Sequence, residues 1–185
     1  MQPEVSAPAI KGHSLGESLR QFVEKSTPET KSRIDQCRTS LGSECQSIPK
    51  LLAESPEERP QELYFPCKQK FFVAWCQEDV GAVYFEKDKL VEIDLKVSGS
   101  WDELRETLIN KFGKPSGTTD QLEQNGFGAT AHAVKGLWLN ANYKVIASEW
   151  LDSNFNRSVF VTLETLQYAQ LKAERERQKH THDLD

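Results

Sequence analysis

Much that would mark a familiar class of protein is missing from this chain. No run approaches the roughly 18–20 apolar residues of a membrane-spanning helix, and the N-terminus carries no apolar h-region. No block of lysine and arginine interrupts a formal charge of −5. A nucleic-acid site needs clustered cations to displace counterions, so nucleic acid is not an expected partner. A Gly-rich phosphate loop is also lacking. Gly113-Lys114-Pro115 lies at a helix end, and Gly126-Phe127-Gly128 is followed by Ala131 where a dinucleotide fingerprint has its third glycine. Hydrophobic residues make up 37% of the chain, against a usual ~45–50% that also counts glycine, which predicts a modest core. Four Trp and nine Phe nevertheless supply large side chains to bury or display.

Cysteine is confined to one stretch: Cys37, Cys45, Cys67 and Cys76. Seven residues separate the first pair and eight the second, and neither pair has a histidine at ligand spacing, so a zinc site is not expected. Two disulfides fit the clustering better. Four cysteines allow three connectivities. The local one, Cys37 with Cys45 and Cys67 with Cys76, would tie a loop and a hairpin at about 2–3 kcal/mol each in the chain-entropy model. Met1 precedes a Pro/Ala-rich polar lead through Ala9, which reads as a mature terminus left after a signal peptide. The expected compartment is therefore periplasmic or extracellular, with the cytoplasm as the alternative if the thiols are free.

A helix-then-strands pattern appears twice, suggesting two copies of one small α+β unit. Ser14 is expected to cap a helix carrying Leu15, Leu19, Phe22 and Val23 at helical spacing, and Thr27-Pro28 to start a second helix running to about Cys37. Residues 39–62 read as a long surface connection with one helical turn at Ile48–Ala53. Strands are expected at Lys70–Cys76, Gly81–Phe85 and Leu90–Val97. The last alternates, with Leu90, Glu92, Asp94 and Lys96 on a wet face and Val91, Ile93, Leu95 and Val97 on a buried one. Ser100 should cap a second-unit helix that Phe112-Gly113-Lys114-Pro115 ends. A Gly-rich loop and three strands follow, Ala129–Leu139, Tyr143–Leu151 and Ser158–Leu163, then a helix and a fraying charged tail from Lys172.

Catalytic chemistry is not apparent. His132 could serve a cysteine nucleophile at Cys67 or Cys76, but disulfide pairing would consume the thiol. The paired carboxylates Asp102/Glu103 and Glu57/Glu58, with Asp94, read as helix-start, loop and solvated-face charges. His180 and His182 on a terminal tail do not make a closed metal site. No catalytic residue, metal or cofactor is therefore assigned. Aromatic side chains on a sheet face are the better functional material, and Trp101, Trp138, Tyr143 and Trp150 are the candidate partner-binding residues.

The opening Gly12 to Val23 and the helix from Leu104 to the Gly113-Lys114-Pro115 stop resemble the small exported bacterial α+β proteins of the BamE (SmpA/OmlA) and β-lactamase-inhibitory-protein kind. That resemblance implies helices packed on an antiparallel sheet, singly or in tandem, and a scaffolding or inhibitory role. The chain departs from it in lacking an N-terminal lipidation cysteine and in carrying cysteines only in its first half.

The expected architecture is thus α+β, written αβββ-αβββ with a C-terminal helix. Residues 1–9 form a lead, 10–97 the first unit, 98–163 the second, and 164–185 a C-terminal helix and charged tail. The expected function is a non-enzymatic exported domain that binds a protein or cell-envelope component. The alternatives are a small-ligand carrier with an aromatic cleft between the units and, further off, a hydrolase using His132.

Overall fold

The computed structural model describes residues 9–10, 12–26, 37–39, 45–46, 48–59, 61–67, 81–124, 128, 130–151 and 156–182. Within them lie α1 (Leu19–Lys25), β1 (Cys37–Thr39), β2 (Cys45–Gln46), α2 (Ile48–Ala53), β3 (Glu62–Cys67), β4 (Gly81–Glu86) and β5 (Lys89–Ser98). Then come α3 (Trp101–Phe112), β6 (Gly117–Gln124), β7 (Thr130–Leu139), β8 (Tyr143–Leu151), β9 (Arg157–Thr165) and α4 (Leu166–His182). The nine strands form one antiparallel sheet in the order β2-β1-β3-β4-β5-β9-β8-β7-β6, seven of them six residues or longer. The molecule is mixed helix and antiparallel sheet with a C-terminal helix, as expected. The second half carries four strands rather than three, because Gly117–Gln124, expected as loop, pairs along its whole length with β7. The expected strand Lys70–Cys76 and the helix from Thr27 to Gln36 lie outside the described residues, while Cys37 itself is in a strand.

The two meanders meet at β5 and β9, where Glu92 to Ser98 run opposite Glu164 to Ser158. One row of register partners, Val83-Ile93-Leu163-Val145-Trp138, crosses five strands, and none of its members is more than 3% exposed. Both halves therefore share one sheet and one core. Helix α1 packs on this inner face through Leu19, Phe22 and Val23, with Phe22 edge-on to Phe85 at 5.5 Å. Leu51 of α2 joins the same cluster, as do Trp101 and Leu108 of α3.

Local chemistry sets the helix ends. Helix α1 starts at Leu19, not after Ser14, because Gly16 adopts φ +88°, outside the helical region, and Ser14 gives its N–H to the Glu17 carboxylate instead. The cap is Ser18, closed reciprocally with Gln21. Helix α3 is capped by Ser100 and Glu103 in the same way, and such a cap is worth about 1 kcal/mol. Between β4 and β5 two left-handed residues, Lys87 and Asp88, form the tight turn whose twist matches a hairpin. Asp88 is held there by the buried Arg59, which also donates to the Leu51 carbonyl of α2.

The expected alternation of β5 fails at one point. The register shifts between Tyr84 and Phe85, so Leu90 pairs with Phe85 on the inner face although Glu92 stands opposite Tyr84 on the outer one. Nor is the outer face uniformly wet. Helix α4 lies against it, with Tyr168 6.4 Å from Tyr84 and Lys172 on Glu92 and Glu164. Lys172, expected in a fraying tail, is therefore a docking residue. Arg175 follows it to Glu62.

Candidate functional site

Among the four aromatic candidates the fold separates one from three. Trp101, Trp138 and Tyr143 are 6%, 3% and 7% exposed, and their assignment to a partner surface is corrected. Trp138 points inward because its register partner is Val145, and its indole N–H donates to the Gly113 carbonyl at 2.8 Å. The rings of Trp101 and Trp138 lie 6.2 Å apart, directly over Gly136, where a Cβ would collide with the Trp101 ring. Tyr143 opens β8 at the inner end of the same core. Trp150, by contrast, is 43% exposed.

Trp150 sits on the outer face beyond the reach of α4. Phe160 on β9 meets it edge-on at 6.0 Å and is itself 37% exposed. The ammonium of Lys96 stands 5.6 Å from the Trp150 ring centre and 5.9 Å from that of Phe160, close enough for cation–π attraction to both. Lys96, Phe160, Ser148 and Lys135 are consecutive register partners across β5, β9, β8 and β7, so they form one straight row. Ile146 and Leu137 occupy the next row and are partly covered. Sequence reasoning missed Phe160 because Val159-Phe160-Val161 looks uniformly apolar; only the pairing shows that its middle residue points outward.

A second feature lies at the same end of the sheet. The ladder between β7 and β8 stops at Lys135 opposite Ser148, although β7 begins at Thr130 and β8 continues to Leu151. The strands fork, and a cleft of about 820 Å³ opens between them beside the N-terminus of α3. Two side chains replace the missing ladder. Glu149 accepts the Val134 N–H at 3.3 Å, and Arg157 donates to the His132 carbonyl at 3.2 Å. The two are ion-paired at 2.8 Å, and Glu149 also accepts the first N–H of α3, from Trp101, at 3.0 Å. Burial opposes the charge of Glu149, but Arg157 and the two N–H donors outweigh it and hold the carboxyl below its ordinary pKa. The pair thus joins three elements rather than offering a free reactive group.

His132 lines this cleft, with its Nδ1 2.8 Å from Asp120 across the β6–β7 hairpin. Both side chains are largely exposed. Among the described residues lining the cleft the one hydroxyl, Ser100, is engaged in capping α3. A partnership of His132 with Cys67 is corrected: four strands separate β7 from β3. The cleft is also not the aromatic junction expected of a ligand carrier. It lies within the second half, lined mainly by charged and polar groups, and the junction of the halves is filled by Ile93, Leu163 and Val161. Among the described residues no three His, Cys, Asp or Glu side chains converge as a metal site, and no helix is long and apolar enough to cross a membrane. The disulfide assignments fall outside the description, Cys76 entirely and Cys37, Cys45 and Cys67 in their side chains.

Under α4 lies the third cluster. Glu92 and Glu164 face each other directly across β5 and β9 and are 4% and 1% exposed. Burial, then the nearby charge of Asp94, pushes Glu92 up to about 8. Burial also acts against the charge of Glu164, but Lys172 and Lys144 overcome it and keep that carboxyl below its ordinary range. Across the opposed pair, burial thus pushes Glu92 up while the two lysines hold Glu164 down. Lys144 lies 2.9 Å from Glu164 Oε1 and Lys172 2.6 Å from Oε2, the latter out of line for a hydrogen bond. Asp94 accepts from Thr162 Oγ1 at 2.6 Å. These contacts fasten a helix; they leave no carboxylate facing an open cavity.

Comparisons with protein-family models, curated proteins and solved structures return no match for this chain.

Proposed function

We propose that this chain is a non-enzymatic binding domain that docks a protein partner on the open half of its outer sheet face. The observation that carries the reading is the Trp150–Phe160 pair, left in water on a face whose other half is covered by α4. A chain with only 37% hydrophobic residues gains solubility by keeping such rings inside. Exposed aromatics that stack on each other and on a lysine are shaped for contact rather than scattered singly. An exported location accompanies this reading and rests on the four cysteines as two disulfides. Mass measurement of the native protein after thiol blocking, with and without reduction, tests it: four blocked thiols would move the domain to a reducing compartment.

The docking reading is tested by photocrosslinking in extract of the source cells, with a benzophenone amino acid at position 160 or at position 105 on the exposed side of α3. Discrete adducts from position 160 that disappear in the Trp150→Ser background support the reading. Equal labelling from both positions, or adducts indifferent to Trp150→Ser, would defeat it.

A further inference from the structure

We infer that the occupant of the open face is an acidic, extended segment of another protein, with two carboxylates flanking one apolar side chain. This rests on the docking reading above and adds the chemistry of the partner. The row Lys96-Phe160-Ser148-Lys135 puts a cation at each end and a ring between them. Carboxylates outnumber cations in the chain, 28 to 23, yet among the described residues neither lysine is paired with one. The described carboxylates of the outer face are engaged elsewhere: Asp94 by Thr162, Glu92 by Lys172, and Glu164 by Lys144 and Lys172. The register neighbours of Lys135, Ser148 and Thr119, are uncharged. Two cations without a carboxylate among the described residues, one of them over exposed rings, are complementary to negative charge and not to a second copy of the same row, on a molecule of net charge −5.

Spacing narrows the chemistry further. Lys96 and Lys135 are three strands apart, roughly 14 Å at the usual inter-strand distance. An extended segment rises ~3.4 Å per residue and points every second side chain the same way. Residues i, i+2 and i+4 therefore fall on one side and span the same roughly 14 Å. A carboxylate at i reaches Lys96, an apolar side chain at i+2 rests on Phe160 and Trp150, and a carboxylate at i+4 reaches Lys135. Each exposed ion pair is weak by itself, so recognition comes from the two together with the ring contact between them.

The test uses the full chain and fluorescently labelled nine-residue peptides. One carries glutamate at its third and seventh positions, leucine at the fifth, and serine or threonine elsewhere; the control replaces both glutamates with glutamine. Anisotropy is expected to show the glutamate peptide binding about tenfold more tightly at low salt, with the advantage shrinking as salt rises. Lys96→Glu and Lys135→Glu should each abolish that advantage, and Lys96→Gln and Lys135→Gln, gentler to the fold, should reduce it. Equal binding of the two peptides, or of neither, overturns the inference. So does tighter binding to anionic phosphatidylglycerol vesicles than to the glutamate peptide, or concentration-dependent dimerisation lost in Lys96→Glu. In each case Trp150-dependent crosslinking from position 160 reports separately on the docking reading.

Discussion

The two halves of the outer sheet face divide polar and apolar groups in opposite ways. Beneath α4, carboxylates are buried and cations reach in to meet them; beyond α4, indole and phenyl rings stand in water and a lysine lies over them. Both arrangements are costly for an isolated domain, but in different ways. Buried charges require fixed partners, and the covered half has them in Lys144, Lys172 and Thr162. Exposed rings forgo the hydrophobic stabilisation of burial, and in the open half nothing within the described chain supplies a cover. The contrast teaches where to look for a partner: the half that is complete serves the fold, and the half that is incomplete is where the proposed docking is to be tested.

Breaking the covered half should have the largest effect. Lys172→Met keeps the aliphatic stem but removes the cation from between Glu92 and Glu164. With a buried carboxylate left less compensated, urea unfolding should show a loss of about 3 kcal/mol, or α4 should lose amide-exchange protection. A loss below about 0.5 kcal/mol would mean that α4 is not fastened there. The inner face gives the next effect. Gly136→Ala drives a methyl group into the Trp101 ring, and urea unfolding should show about 2 kcal/mol of destabilisation. Preserved stability would show that Trp101 and Trp138 repack freely.

Glu92→Gln sharpens the comparison through pH. The pKa of Glu92 is raised by folding to about 8, so between its ordinary value and 8 the native state binds the extra proton. Its contribution is therefore fully present at low pH and is lost as pH rises toward 8. Glutamine imitates the protonated carboxyl. The variant should gain stability over the wild type as pH rises, its lead in urea midpoint smaller at pH 5.5 than at pH 8.5. A variant less stable at pH 8.5 would place the charge, not the proton, on Glu92. The smallest effect belongs to the open half. Trp150→Ser should change stability by no more than about 0.5 kcal/mol in the same urea assay, since the ring is not part of the packed core. A loss of several kcal/mol would mean that Trp150 supports the fold and would end the contrast between the halves.

Much of the local structure was legible in the residues. The Ser100 cap with Glu103, the Gly113-Lys114-Pro115 stop, the turn at Asn140 to Asn142 and the bounds of α2 and β8 all follow from side chains acting on their own backbone or its near neighbours. Strand β6 was not legible, because an edge strand of Thr, Asp, Gln and Glu with both faces largely exposed shows no alternation to detect. The site was legible only in part. Trp150 was identified beside three aromatics that proved to be core, Phe160 was missed, and His132 was noticed without Asp120, its partner twelve residues away across a hairpin.

By itself the sequence determined the end of α1, both ends of α3, the turns at Lys87-Asp88 and Asn140 to Asn142, and the class of mixed helix and antiparallel sheet, because these depend on short-range sterics and on residue chemistry. Only the tertiary structure decided which face each aromatic takes, because one residue of register reverses every side chain on a strand. It alone pushed the Glu92 carboxyl well above its ordinary range, by burying it under α4 against the opposing pull of Lys172, eighty residues later in the chain. And it alone set Lys96, Phe160 and Lys135 in one row, since hydrogen bonding between four strands brought together residues that their order along the chain keeps apart.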